Sequence, residues 1–171
     1  MQPRKCVLTA ITLTTAVFLG TAAMAADLPK EGTFNGSWFG SGEGKATPVG
    51  KEMLLSPFEQ NALTIGNGLV DHLTWHCSGL YEMTKGMAEH RGYCVATDPA
   101  GDQFAGNFAS DGKYAADAKS YSGAVTFIGG TGKYAGISGG FKYVGHAPEF
   151  RAAAEGAFVE YITLEGSYKL P

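Results

Sequence analysis

The sequence predicts an all-β domain, most simply a small closed antiparallel barrel of about eight strands. Short runs of alternating apolar and polar residues follow one another along most of the chain, as in strands that bury one face. Turn residues separate these runs, and 25 of the 171 residues are glycine. No helical pattern alternates with the strands, which argues against an α/β fold. A barrel is favoured over a sandwich because closure removes the exposed edges of the sheet.

The first 25 residues have the features of a secretory signal peptide. Two basic residues precede an apolar stretch, and Ala23-Met24-Ala25 forms a small-x-small cleavage site. The stretch is shorter than the roughly 20 apolar residues that a membrane span requires. We therefore expect cleavage after Ala25, export to the periplasm or beyond, no stable membrane span afterwards, and a single barrel domain over residues 26–171.

The predicted elements of that domain are strands joined by short turns. Strand-like runs occupy residues 33–43, 52–58, 61–66, 72–83, 90–97, 103–109, 121–128, 138–145 and 156–168. Asp98-Pro99-Ala100-Gly101 has the residues that a type I turn prefers, and Ser110-Asp111-Gly112 marks another reversal. The only helical candidate after the signal is residues 148–155, which is too short to be more than a lid or a crossover.

Cysteine spacing predicts a hairpin with a disulfide. Cleavage would remove Cys6 and leave Cys77 and Cys94, an even pair in an oxidising compartment. A tight hairpin centred on Lys85 and Gly86 places these two cysteines directly opposite each other. A disulfide between adjacent strands is the favoured interpretation, and two buried free thiols are the alternative.

The same register makes further predictions for this hairpin. It sets Trp75 against Ala96, so that a bulky ring faces a small neighbour. It also sets Glu82 against Glu89, which is unfavourable, so we expect a longer or bulged loop.

One face of each predicted strand collects large apolar side chains, which we expect to point inward. They are Phe34, Trp38, Leu73, Trp75, Tyr81, Met83, Tyr121, Val125, Phe127, Phe141, Tyr143, Phe158, Ile162 and Leu164. Glycines lie among them on the same faces. Such alternation of small and large residues either fills a small barrel or leaves a cavity, and the pattern leaves both outcomes open.

Polar residues on these faces are candidates for chemistry. Glu160 lies between two inward apolar positions, and His90 lies opposite Tyr81. A carboxylate inside the barrel would have a raised pKa and could act as an acid or a base. However, Val159 and Tyr161 make the other face of the last strand equally apolar, so Glu160 could instead lie outside.

The candidate ligand-binding residues are Trp38, Trp75, Tyr81, His90, Phe127, Tyr143 and Glu160. No catalytic residue is assigned. His72 and His76 lie about 13 Å apart along a strand, too far to chelate one metal, and the cysteines lack zinc-site spacing, so we predict no metal site.

The segment at residues 127–140 (FIGGTGKYAGISGG) is the densest motif. It is not a P-loop, because Tyr134 follows Lys133 where a Ser or Thr would hold magnesium, and no helix follows for a dinucleotide turn. We expect a strand, a tight glycine turn with one short helical turn at residues 133–135, and a returning strand. We predict no cofactor, and the net charge of -3 predicts no nucleic-acid partner.

This segment resembles the GGTGKFxxAxG-type segment of allene oxide cyclase and dirigent-like β-barrels. The resemblance implies that it is a structural hairpin closing an eight-stranded barrel, while the ligand enters the lumen elsewhere. The structural residues would be Gly129, Gly130, Thr131, Gly132, Lys133, Tyr134, Gly136 and Gly139. No catalytic motif of that family matches this sequence. A weaker resemblance joins Gly36-Ser37-Trp38 to the GxW opening of lipocalin-type barrels, and it implies that Lys169 covers Trp38.

Three functional classes remain. The leading hypothesis is a secreted, non-enzymatic barrel that binds a small apolar ligand or has an envelope role. The alternatives are a cofactor-free isomerase or cyclase acting in the lumen, and a structural or interaction protein with a filled barrel. The sequence gives no prediction of the oligomeric state.

Overall fold

The computed structural model describes residues 28–146 and 156–171 of the chain. The predicted signal peptide and the predicted helix at residues 148–155 lie outside the described residues.

The described residues form a closed antiparallel barrel of eight strands, as predicted. These residues contain ten strands, eight of which form the barrel: β1 (Glu31–Gly44), β2 (Thr47–Val49), β3 (Met53–Gly66), β4 (Thr74–Thr84), β5 (Met87–Thr97), β6 (Gln103–Ser110), β7 (Tyr114–Ala115), β8 (Ser120–Gly130), β9 (Ser138–His146) and β10 (Ala157–Lys169). Pairing runs β1-β10-β9-β8-β6-β5-β4-β3 and closes between β3 and β1, while the short β2 and β7 add to β3 and β5. Two 3-10 turns, Gly68–Val70 and Gly132–Tyr134, complete the described elements.

One long strand, β3, replaces the two predicted at 52–58 and 61–66. Its centre contains Pro57, which lacks a backbone N–H and is confined to unpaired strand positions. On one side of β3, pairing with β1 begins at Phe58 and pairing with β2 ends at Leu55. The missing donor of Pro57 therefore faces the gap between β1 and β2, where no ladder hydrogen bond is lost.

The β4–β5 hairpin has the predicted register, with Cys77 opposite Cys94, and these cysteines form a disulfide. The prediction of a longer or bulged loop was wrong. Lys85 and Gly86 form a two-residue turn with φ of 52° and 76°, the positive values that such hairpin turns use.

The like charges of Glu82 and Glu89 do face each other in this hairpin. Arg91, on the diagonal neighbouring position, lies 3.8 Å from the Glu82 carboxylate. This partly exposed ion pair offsets the repulsion that the facing carboxylates create.

One half of the barrel interior is filled with side chains. The 3-10 turn Gly68–Val70 inserts Leu69 and Val70, which are 1% and 0% exposed. Phe104 packs edge-on against Trp75, Phe127 and Tyr134, with ring centroids 5.0–5.5 Å apart. These contacts close the barrel end at which β1, β4 and β6 begin.

The glycine-rich segment forms the β8–β9 hairpin, and its short helical turn lies at Gly132–Tyr134. Lys133 Nζ lies 2.5 Å from the buried carboxylate of Asp98, and the Tyr134 hydroxyl donates to the same oxygen at 3.3 Å. Asp98 also begins the predicted turn, because its carbonyl accepts the Gly101 N–H. The hairpin is thereby tied to the β5–β6 connection, which is a structural role.

The electrostatics of this junction favour an ionised Asp98. Burial alone raises the pKa of Asp98, but the hydrogen bond from Lys133, backbone N–H donors and the Lys133 charge together hold that pKa below its usual value.

Lys169 does not cover Trp38, contrary to the lipocalin-type expectation. Lys169 is exposed and lies opposite Glu31 at the start of β1, whereas Trp38 lies opposite Ile162. Trp38 packs against Trp75 instead, with ring centroids 5.0 Å apart. The seven-residue offset along β10 separates the lysine from the indole.

The disulfide should contribute measurably to stability. It joins residues 17 apart, so replacing both Cys77 and Cys94 by Ala should lower the free energy of unfolding by about 2–4 kcal/mol. Denaturant titration measures the difference, and Cys6→Ser is the control because the predicted signal peptide carries that cysteine away. Equal midpoints for the double variant and the parent would contradict a stabilising role.

Candidate functional site

The other half of the barrel interior contains a cavity of about 480 Å³. Its walls are mostly apolar side chains, including Leu54, Phe58, Phe108, Tyr121, Phe141, Phe158 and Ile162. The disulfide between Cys77 and Cys94 also borders it, at the boundary with the filled half. This volume lies within the 300–1,000 Å³ typical of small-molecule pockets.

A first polar group in the cavity is built around Glu160. Its carboxylate faces the cavity and accepts a hydrogen bond from Gln60 Nε2 at 2.5 Å. Burial raises the pKa of Glu160, and the hydrogen bond from Gln60 opposes that shift only in part. The sequence left open whether Glu160 points into the barrel. In the structure Glu160 points inward, whereas Tyr161 packs outside against Phe39, with ring centroids 5.3 Å apart.

Gly40 makes room for this group. It lies opposite Glu160 in the β1–β10 register. A Cβ at Gly40 would come within 2.5 Å of Gln60 Nε2 and 2.7 Å of Trp38 Nε1. Only a glycine therefore lets the Gln60 amide and the Trp38 indole approach the barrel wall so closely.

Trp38 contributes an unsatisfied donor to this group. The residue is 4% exposed and is one of those that line the cavity. Among the described residues, its Nε1–H is the one buried side-chain polar group without a hydrogen-bond partner. Buried polar groups are nearly always paired, so this exception requires an explanation.

A second polar group surrounds His90. Its Nδ1 lies 2.9 Å from the Tyr114 hydroxyl, and its Nε2 lies 2.7 Å from the Tyr143 hydroxyl. Burial lowers the pKa of His90 to about 4, so the imidazole is neutral at pH 7. A neutral imidazole has one donor and one acceptor nitrogen, so one tyrosine donates to it and the other accepts from it.

The tyrosines of this group are also held in their neutral form. Burial is the main cause that raises the pKa of Tyr143 and of Tyr114. Tyr81 and Glu160, in their ionised forms, would raise the pKa of Tyr114 further, which places the two polar groups within electrostatic reach of each other.

The structure brings together five of the seven predicted ligand-binding residues. Trp38, Tyr81, His90, Tyr143 and Glu160 line the cavity. Trp75 and Phe127 do not.

Trp75 and Phe127 belong to the filled half, where both pack against Phe104. The Trp75 indole N–H donates to Thr64 Oγ1 at 3.1 Å. Strand alternation predicts which side chains point inward, but the height along the barrel axis decides which of them reach the cavity.

Sequence reasoning missed three polar cavity residues, Ser56, Gln60 and Tyr114. Gln60 fell in the predicted break between 58 and 61, although continuing the inward period of two from Phe58 would have found it. Tyr114 lies on the two-residue strand β7, which is too short to carry a periodic signal.

No group of three potential metal-ligating residues occurs in the parts of the chain that the structure describes. Within those same ranges, no helix has the length and apolar character needed to cross a bilayer.

Solved structures of dirigent proteins are similar to this chain. No family model matches the chain, and neither does any curated protein. The pterocarpan synthase dirigent protein GePTS1 is similar in structure, with a TM-score of 0.48 and 10% identity over 81% of this chain and 86% of that chain. The pterocarpan synthase dirigent protein PsPTS1 gives a TM-score of 0.43 and 8% identity over 82% of this chain and 96% of that chain. Both are dirigent proteins, members of the family that the glycine-rich segment resembles.

The buried imidazole should reveal itself in the pH dependence of stability. With a pKa near 4 in the folded protein and about 6.5 unfolded, His90 stays neutral in the native state while the unfolded chain takes up a proton. Stability from this source is complete above pH 6.5 and is lost as pH falls toward 4.

The measurement is the free energy of unfolding of wild type and His90→Phe at pH 7 and pH 4.5. Wild type should lose about 2 kcal/mol more than the variant over that interval. Glu160 titrates in both proteins, so the difference isolates the imidazole. Parallel pH profiles would show that His90 is not held neutral.

Proposed function

We propose that this protein is an exported barrel that binds a small, mostly apolar molecule in its cavity without converting it. The observation that carries the proposal is the cavity of about 480 Å³, which has aromatic walls and a few inward polar groups. Ligand sites have this composition because apolar walls supply affinity and a few polar groups fix orientation.

The contrast between the two halves of the interior supports this proposal. The filled half shows that the chain has the aromatic residues needed to pack a barrel interior. The described residues leave the other half unpacked, which lowers stability because the lining atoms lose contact partners. A cavity kept at that cost is best explained by an occupant.

Export is the second part of the proposal. The predicted signal peptide with cleavage after Ala25 supports it. A disulfide between Cys77 and Cys94 is compatible with an oxidising compartment such as the periplasm.

Binding can be tested with the full chain expressed in a bacterial host and purified without detergent. Native mass spectrometry should detect a stoichiometric extra mass, or the protein should bind the neutral fluorescent probe N-phenyl-1-naphthylamine saturably at one site. Ser56→Phe, which adds a ring at a cavity-lining position, should weaken probe binding at least tenfold.

Ser122→Phe is the matched control, because Ser122 is exposed on the outer face of β8. It should bind the probe like wild type. A protein that carries no extra mass and shows no saturable probe binding would contradict the proposal, and so would equal binding by the two phenylalanine variants.

A second candidate function is a cofactor-free isomerase or cyclase. It is favoured by one observation, namely that a carboxyl group of raised pKa and a neutral imidazole face the same apolar cavity. Such a pair could move a proton on a bound substrate.

Glu160→Gln separates the two functions. The binder should return the ligand identified by mass spectrometry unchanged from both wild type and variant, as judged by chromatography. Conversion by wild type that is lost in a folded Glu160→Gln variant would instead establish the isomerase.

A further inference from the structure

We infer that the ligand of the cavity has an oxygen atom that accepts a hydrogen bond from the hydroxyl of Tyr114, which ends a hydrogen-bond chain running from Tyr143 through His90. Ketones, esters and ethers with an apolar body have such an oxygen. This inference rests on the proposed function and specifies the chemistry of its ligand.

The first argument is the number of protons in this chain. The two tyrosine hydroxyls and the neutral imidazole have one hydrogen-bonding proton each. His90 contacts Tyr114 through Nδ1 and Tyr143 through Nε2, and each contact uses one proton. Three protons therefore serve two hydrogen bonds. The tyrosine that accepts from the imidazole keeps an O–H proton that His90 does not bind.

The second argument identifies this accepting tyrosine. Tyr143 is buried, and its hydroxyl lies against the barrel wall, where a Cβ at Gly123 would collide with it. A buried O–H proton needs an acceptor, and among the described residues His90 Nε2 is the one within hydrogen-bond distance. Tyr143 therefore donates to Nε2. The imidazole proton then lies on Nδ1 and is donated to the Tyr114 oxygen.

The third argument is the position of Tyr114. The residue is half-buried and lines the cavity. Its strand, β7, pairs with β5, whereas Glu160 belongs to β10, four strands away in the closed order of eight and thus on the opposite wall. An ionised Glu160 would nevertheless raise the pKa of Tyr114. Since both side chains line the cavity, this effect acts across it, and the Tyr114 hydroxyl faces the space between the walls.

The chain also determines how much a ligand gains at this hydroxyl. An oxygen that accepts a hydrogen bond becomes a stronger donor, because successive hydrogen bonds polarise one another. Water can accept the Tyr114 proton in the empty cavity. A hydrocarbon that displaces this water leaves the O–H unpaired, whereas a ligand oxygen replaces the water as acceptor.

Two probes of nearly equal shape test this preference. 2-Acetylnaphthalene has a carbonyl oxygen where 2-isopropenylnaphthalene has a methylene group. In displacement of N-phenyl-1-naphthylamine at pH 7, wild type should bind the ketone about five- to tenfold more tightly than the alkene, which corresponds to one hydrogen bond.

Tyr114→Phe keeps the aromatic ring but removes the donor. It should abolish the preference for ketone over alkene while retaining alkene binding. Tyr93→Phe is the matched control, because it removes a hydroxyl from the exposed outer face of β5, and it should keep the preference. Thermal unfolding of each variant establishes that it is folded.

The direction of the chain has a direct readout in wild type. The sequence has four histidines, and the signals of His90 are those that disappear from ¹H–¹⁵N spectra in His90→Phe. At pH 7 the imidazole proton of His90 should be attached to Nδ1 and not to Nε2. The opposite tautomer would overturn the assignment of the donor to Tyr114.

The outcomes separate this inference from the proposed function. Equal affinity of wild type for the ketone and the alkene, or a preference that persists in folded Tyr114→Phe, would overturn the oxygen acceptor at Tyr114 but leave a binding barrel intact. Failure of both probes and of N-phenyl-1-naphthylamine to bind would overturn both.

Discussion

Closure of the sheet at β1 is the constraint on which the rest of this structure depends. β1 pairs with β10 along nearly its whole length and with β3 along its second half, so it has no free edge there. Its inward positions are the rings of Phe34 and Trp38 with glycines between and after them. At Gly42, a Cβ would come within 2.6 Å of the Phe158 ring. Small residues on β1 therefore allow rings from neighbouring strands to cross the interior, and closure and cavity shape are set by the same positions.

In the part of the chain that the structure describes, the interior divides into a filled half and a cavity. The 3-10 turn Gly68–Val70 adds Leu69 and Val70 to a network of edge-on aromatic contacts. The disulfide lies at the boundary and contacts both the core and the cavity. The polar groups around Glu160 and His90 lie in the other half, where they face the cavity. The filled half thus forms one end of the cavity, with the disulfide at the boundary.

Much of this fold could be predicted from the sequence, because it depends on local rules. The register of the β4–β5 hairpin follows from a two-residue turn at Lys85 and Gly86, and it places Cys77 opposite Cys94. The prediction broke β3 at residues 59 and 60, although the inward period of two continues from Phe58 to Gln60, so the continuity of β3 was present in the local pattern and was missed. The choice between inside and outside for Glu160 required the three-dimensional partner Gln60, which is 100 residues away in sequence. Long-range partners of this kind carry no local signal.

Burial shifts the pKa values of Glu160 and His90 in opposite directions, and both shifts favour the neutral form. It raises the pKa of Glu160 and lowers that of His90, so each group is driven toward its neutral form. The tyrosines beside His90 are shifted upward as well, which keeps their protons in place as hydrogen-bond donors. Charge therefore contributes little to the interior. The donors and acceptors around Glu160 and His90 therefore decide which molecules the cavity accepts.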